Sequence, residues 1–199
     1  MVNNFKLITL LLLVFFTPIT LSNDLLDHVP ALLKNNPEHS HLLKLVTAIS
    51  EQVHFSKKKI TNESSHLILN NYLNTLDSQK IYFTQSDINY FQRYRYKIDD
   101  ALKNGNLEPI FDIFRIYRLR VQQRIEYSIK IINSTNSFLA DEEYDFSRDN
   151  VKWQKDVSIL DTSWEKKSKN DLLSILLAGQ EINTAKKTLN KRYQKFLNR

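Results

Sequence analysis

Serine is followed directly by lysine at Ser56-Lys57 and at Ser168-Lys169. A serine hydroxyl next to an amine base can act as a nucleophile, provided the two side chains meet and backbone donors await the oxyanion. Sequence neighbours on a helix point apart. The chain also has only two glycines, Gly105 and Gly179, and no G-x-S-x-G elbow. Neither pair therefore reads as a dyad. The five histidines are His28, His39, His41, His54 and His66. His39 and His41 fall on different faces of a helix, and the H-E-x-x-H spacing that aims two imidazoles at one metal is absent. There is no cysteine, which removes disulfides, thiolate catalysis, zinc ribbons and lipid attachment at a cysteine. The adjacent carboxylates Asp99-Asp100 and Glu142-Glu143 read as helix-surface or loop charges, because acid–base work would need one of them in a dry cleft. The residues thus indicate no catalytic group, no cofactor site and no metal site.

The elements that hold these residues are helical. The stretch from Tyr82 to Ile132 is the centre of the pattern. Thr84 followed by Asp87 predicts a capping-box helix start. Ile88, Phe91, Tyr94, Ile98 and Leu102 then recur at steps of three and four, with Gln92, Arg93, Lys97, Asp100 and Lys103 opposite. Gly105-Asn106 predicts a left-handed stop, and Pro109 suits the first turn of the next helix. Ile110, Ile113, Phe114, Tyr117, Val121, Ile125 and Ile132 give that helix a wide apolar face. The prediction is an αα-hairpin whose aromatic stripe, including Phe91, Phe114 and Tyr117, belongs to the core. A base-stacking platform would instead expose aromatics among basic residues, as Tyr94, Arg95, Tyr96 and Lys97 superficially do.

Along the rest of the chain, Leu7 to Phe16 is an apolar run broken by Pro18 and followed by the small residues Thr20-Leu21-Ser22. Residues 1–22 read as a secretory signal peptide, with an uncleaved anchor as the competing reading. The run is about half the ~20 residues of a spanning helix. Leu42, Leu45, Val46, Ile49 and Val53 form one predicted helical face. Leu69, Tyr72, Leu73 and Leu76 form another, after a cap near Thr61 or Ser64. Residues 133–160 are poorly patterned, with hints of extended pieces at Tyr144, Phe146, Val151 and Trp153. A helix is expected from about Asp161–Ser163 to Gly179, and a last one carries Ile182, Ala185, Leu189, Tyr193 and Phe196. The fold class is all-α, an antiparallel domain of about six helices around the central hairpin. The formal charge of +6 reads as a solvated basic surface, since the arginines of the hairpin scatter around their helices.

The run Ile81-Tyr82-Phe83, the segment Asp87 to Tyr94, the turn from Asp99 to Pro109 and the arm Phe111 to Arg124 resemble the N-terminal domain of the tail-specific proteases, also called carboxy-terminal processing proteases. The likeness continues at Tyr144-Asp145, Arg148, Trp153, Lys169 to Leu173 and Lys191-Arg192-Tyr193, and covers roughly residues 40–199. The resemblance implies a helical domain of a periplasmic serine endopeptidase that uses a serine nucleophile and a lysine base. It also implies a PDZ module that recognises apolar C-terminal tails, and envelope proteins as substrates, with a lipoprotein adaptor among the partners. The PDZ module and the catalytic serine and lysine lie further on in the family and have no counterpart here, so no catalytic residue carries over. Residues 23–199 are expected to be a non-catalytic N-terminal domain that scaffolds the protease and contacts substrate or adaptor. It would bind no nucleic acid and keep no membrane span once the leader is cleaved. The alternative is a free-standing periplasmic binding or adaptor protein.

Overall fold

A computed structural model describes residues 33–52, 59–139, 142–148 and 151–197. The predicted signal peptide and Val53 lie outside the described residues. Among those described there are seven α-helices and no β-strand. They are α1 (Pro37–Gln52), α2 (Asn62–Leu76), α3 (Gln85–Phe91), α4 (Ile98–Asn104), α5 (Glu108–Ser134), α6 (Val157–Leu177) and α7 (Ile182–Leu197). The all-α prediction holds.

The helix punctuation follows local chemistry. Thr84 and Asp87 form the reciprocal capping box at the start of α3. The hydroxyl of Thr84 accepts the Asp87 N–H, and the Asp87 carboxylate accepts the Thr84 N–H at 2.9 Å. Gly105 ends α4 at φ 68°. The Asn106 N–H reaches back to the Ala101 carbonyl at 2.8 Å, the bond of a Schellman-type stop. Pro109 stands in the first turn of α5. Gly179 follows α6 at φ 89°, its N–H on the Leu176 carbonyl at 2.9 Å.

Two expectations on the elements are corrected. The first arm is not one helix. A 3-10 turn, Gln92–Tyr94, and the non-helical Lys97 separate α3 from α4. The α4 start is received by the side chain of Ser65 in α2, whose Oγ accepts the Ile98 N–H at 2.9 Å. Ile88, Phe91 and Ile98 nevertheless stay buried, so the break bends the arm around α2 without turning its apolar side outward. In addition, α6 begins at Val157, ahead of the predicted Asp161–Ser163, and this extra turn buries Leu160.

Two core clusters share α5. One gathers Leu69, Leu73, Phe83, Ile88, Phe91, Ile98 and Ile113; the other gathers Ile81, Val121, Ile125, Ile132, Trp164, Leu172, Ile175, Ala185, Leu189 and Tyr193. Tyr117 packs against both. Ile81 and Phe83, two residues apart, enter different clusters. The link between α2 and α3 is therefore the seam of the molecule. Of the three expected core aromatics, Phe91 is fully buried, whereas Phe114 and Tyr117 are only half-buried.

The approach of α1 to α4 gives the first prediction. A Cβ built at Gly105 would sit 2.6 Å from the backbone oxygen of Ser40 in α1. At Gly179 it would meet nothing within 4 Å. Both backbones are left-handed, so alanine is strained at each, but only Gly105→Ala must also push a helix away. Gly179→Ala should cost about 1 kcal/mol, the left-handed penalty alone. Gly105→Ala should cost roughly 2 kcal/mol or more, the same penalty with the collision added. Parallel thermal melts check the order, and equal losses would show that α1 yields freely.

Candidate functional site

The seam is built on Asp77, the residue after α2. Its carboxylate is buried and accepts four donors. Oδ1 takes the Ile81 N–H at 2.8 Å, and Oδ2 takes Phe83 N–H at 2.9 Å, Tyr82 N–H at 3.2 Å and the Trp153 indole N–H at 3.1 Å. Lys80 adopts φ 53° to close this turn, with its ammonium over the Trp153 ring. The Arg148 guanidinium donates to the Gln79 carbonyl at 2.8 Å. The Trp164 indole donates to the Ile81 carbonyl at 2.8 Å. Irregular residues between α5 and α6 thus clamp the α2–α3 link. The Gln85 N–H bond to the Gln154 carbonyl, 2.8 Å, makes the one isolated bridge contact of that clamp. Tyr144, Phe146, Val151 and Trp153 lie in this strap, whose described residues form no regular strand.

Ion pairs fix the long helices to their neighbours. Arg120 forms a two-pronged pair with Asp87, with bonds of 2.8 and 3.0 Å. Buried Arg124 pairs with Asp161 across the α5–α6 contact. Asp112 accepts from Tyr94 at 2.9 Å and from Arg115 at 2.7 Å. Burial alone would raise the Asp112 carboxyl, but these hydrogen bonds and the Arg115 charge hold it below the ordinary range. Asp171 joins α6 to α7 by accepting from Lys167 and from the Tyr193 hydroxyl, each at 2.6 Å.

These contacts protect several tyrosines. Burial pushes Tyr72 up to about 12. Burial and then the bond to Asp112 push Tyr94 to about 12. Burial raises Tyr82 and Tyr193 as well, with the Asp171 bond adding to the second. An unfolded tyrosine ionises near pH ~10. Between about pH 10 and 12 the unfolded chain therefore holds fewer protons than the folded one, and stability falls as pH rises. Urea midpoints should be lower at about pH 11 than at about pH 8. In a tyrosinate titration these four phenols should ionise only with unfolding; all nine ionising near pH ~10 in a folded chain would contradict the hydrogen-bond assignment.

Among the described residues, the chemical candidates named from the sequence stand apart. Ser168 is buried and donates to the Trp164 carbonyl at 2.7 Å, while Lys169 is held by Glu142 and Glu165 at 2.8 Å each. Ser56-Lys57, His28 and His54 lie outside the described residues. His39 and His41 are exposed, and His66 bonds Asn70 at 2.9 Å. Asp99 is buried and Asp100 exposed. Among the described residues no three His, Cys, Asp or Glu side chains group as metal ligands, and no helix is long and apolar enough to cross a membrane.

What the fold does offer is surface. The strap and α6 enclose a cavity of about 160 Å³ lined by Phe138, Tyr144 and Leu173 with Glu143, Lys166 and Asn170 at its polar side. Ligand pockets begin at about 300 Å³, so this one fits a single side chain. The strap thus half-covers Leu173. Leu197 is also half-buried, whereas Leu177 is 80% exposed. The spacing that predicts an apolar face on α1 does not say what covers it. Its apolar residues Leu42, Leu45, Val46 and Ile49 are all about half-exposed. The side turned inward is the one with Thr47, because the end of α4 offers carbonyls: the Thr47 hydroxyl donates to Leu102 and the Asn35 amide to Gly105.

The model of the tail specific protease N-terminal domain matches residues 45–199. The chain belongs to that family. A tail-specific protease of Haemophilus influenzae is 26% identical over 157 residues. The match covers 78% of this chain and 23% of that protein, so the chain spans about a quarter of the relative's length. The matched region starts within α1 and takes in all the later helices, both core clusters and the Asp77 seam.

Proposed function

We propose that this chain is the non-catalytic helical domain of a periplasmic carboxy-terminal processing serine endopeptidase. It scaffolds the protease and contacts its substrate or adaptor. The observation that carries the reading is the family match over residues 45–199, against a relative of which the chain spans 23%. One feature supports the scaffold role: α1 presents the row Leu42, Leu45, Val46 and Ile49 on its open side. A helix apolar on a side its own domain leaves open wants a further neighbour. Residues 1–22 act as the export signal in this reading, and the PDZ and Ser-Lys catalytic units are the natural neighbours of the domain.

Two measurements test it. The purified chain should leave an unfolded protein with an apolar C-terminus intact; cleavage abolished by mutating one of its serines would overturn the reading. The chain should also form a complex with the remainder of a tail-specific protease deleted for its own N-terminal domain, seen as co-elution. Failure to co-elute, together with a clean monomer at every concentration and no hydrophobic-dye binding, would favour the free-standing adaptor.

A further inference from the structure

The charge of this chain is not spread evenly. Residues 182–199 hold six of the 28 lysines and arginines and none of the 22 acids, so the preceding 181 residues carry 22 of each sign. The whole formal charge of +6 therefore resides in residues 182–199, and α7 (Ile182–Leu197) carries five of those six cations. One side of α7 is spent in the core through Ala185, Leu189 and Tyr193. Lys187, Lys191 and Lys195 follow one another at i, i+4 and i+8 on the other side, and Arg192 lies beside them; all four are exposed. Three such lysines make a ridge of about 12 Å, each about 6 Å from the next. Among the described residues no acid pairs with any of the four. Lys186, by contrast, is turned to the end of α5, where it donates to the Asn133 carbonyl and the Asn136 side chain at 3.0 Å each.

We infer that the exposed face of α7 is a docking surface for an acidic polypeptide segment, with carboxylates at helical i, i+4 spacing set against Lys187, Lys191 and Lys195. A lipid-binding helix lays an apolar face into the membrane beneath its cations, and here that face is already occupied by the core. A single-stranded nucleic-acid platform interleaves several aromatics with its cations, whereas here Tyr193 is buried and the exposed Phe196 lies at i+4 from Arg192, off the lysine ridge. The inference rests on the reading above only in taking the partner to be a polypeptide. The row of matching 6 Å steps fits a partner helix and gives orientation as well as attraction.

The test uses the purified chain, a ridge variant (K187A/K191A/K195A) and a control variant with the same net charge (K97A/K152A/K155A), whose lysines are also exposed. Each is passed over immobilised poly-L-glutamate, anionic phosphatidylglycerol vesicles and duplex DNA in a salt series. Circular dichroism checks that both variants are folded. Poly-L-glutamate should retain the parent chain, and the ridge variant should bind roughly tenfold more weakly, as expected for three exposed charge pairs. The control should match the parent, and K187R/K191R/K195R should restore binding. Equal losses in ridge variant and control would mean overall charge and nothing more, and would overturn the proposal. So would no retention of the parent, or ridge-dependent binding confined to vesicles or to DNA. Failure here is distinguishable from failure of the proposed function, because no protease is present in this experiment.

Discussion

Asp77→Ala should be the most damaging single change in the chain outside the apolar core. The carboxylate is 1% exposed and serves three consecutive backbone N–H groups, Ile81, Tyr82 and Phe83, together with the Trp153 indole. Alanine leaves those four donors without their acceptor. An unsatisfied buried donor costs about 1–3 kcal/mol, and some of the four will find water through the space vacated, so a total of about 3–5 kcal/mol is expected. That is a large part of the roughly 5–15 kcal/mol that holds a domain together. Asp77→Asn keeps one acceptor oxygen but turns an NH2 toward N–H groups, so it should fall between wild type and alanine. Urea unfolding with an unchanged slope and a lower midpoint is the expected signature. Trp153 fluorescence adds an independent readout, because its indole N–H loses the acceptor it has in the seam. A midpoint within about 0.5 kcal/mol of the parent would mean that the three N–H groups are served elsewhere.

The importance of Asp77 could not be read from the sequence, and the reason is general to this fold. Asp77-Ser78-Gln79 has the composition of a turn, and the turn is there. What makes the aspartate central is the return of Trp153, 76 residues on, from a stretch with no helical period. Local chemistry was legible wherever a feature closes within a few residues. The capping box of Thr84 and Asp87, the left-handed Gly105 and Pro109 at the start of α5 are all of this kind. The bend at Gln92–Lys97 was not legible, because Ile88, Phe91 and Ile98 keep helical phase across it. The orientation of α1 was not legible either, because spacing shows an apolar row without its neighbour. Its most apolar row faces outward, and the inner contact is made by the hydroxyl of Thr47 seeking the carbonyl of Leu102. Apolar periodicity identifies a side that wants burial but not the body that buries it. In a domain that matches about a quarter of a relative's length, the two need not be in the same domain. The ridge on α7 was visible as letters, yet only the burial of Ala185, Leu189 and Tyr193 tells which side remains for the lysines.

Phe91→Ala and Phe114→Ala separate the pattern from the packing. Both phenylalanines sit on the apolar side of their helices by spacing, and on that ground alone they should matter equally. The structure gives them different surroundings. Phe91 is 0% exposed, its ring meeting Phe83 edge-on at 5.2 Å and Tyr90 at 5.8 Å. Phe114 is half-buried, tilted against Tyr117 at 6.0 Å, and belongs to neither cluster of buried residues. Truncating a fully buried phenylalanine removes its transfer energy and leaves a cavity, about 3–5 kcal/mol in all. A half-exposed ring forfeits part of the transfer term and leaves an opening that water fills, so about 1–2 kcal/mol is expected. For a chain of this length the first loss corresponds to a fall in melting temperature of roughly 6–20 °C and the second to roughly 2–8 °C. The Phe83–Phe91 pair adds a second check. Aromatic edge contacts contribute about 0.5–1.5 kcal/mol beyond area, so Phe83→Leu with Phe91→Leu should cost less together than the sum of the single changes. If instead Phe114→Ala costs as much as Phe91→Ala, a further surface must cover the middle of α5.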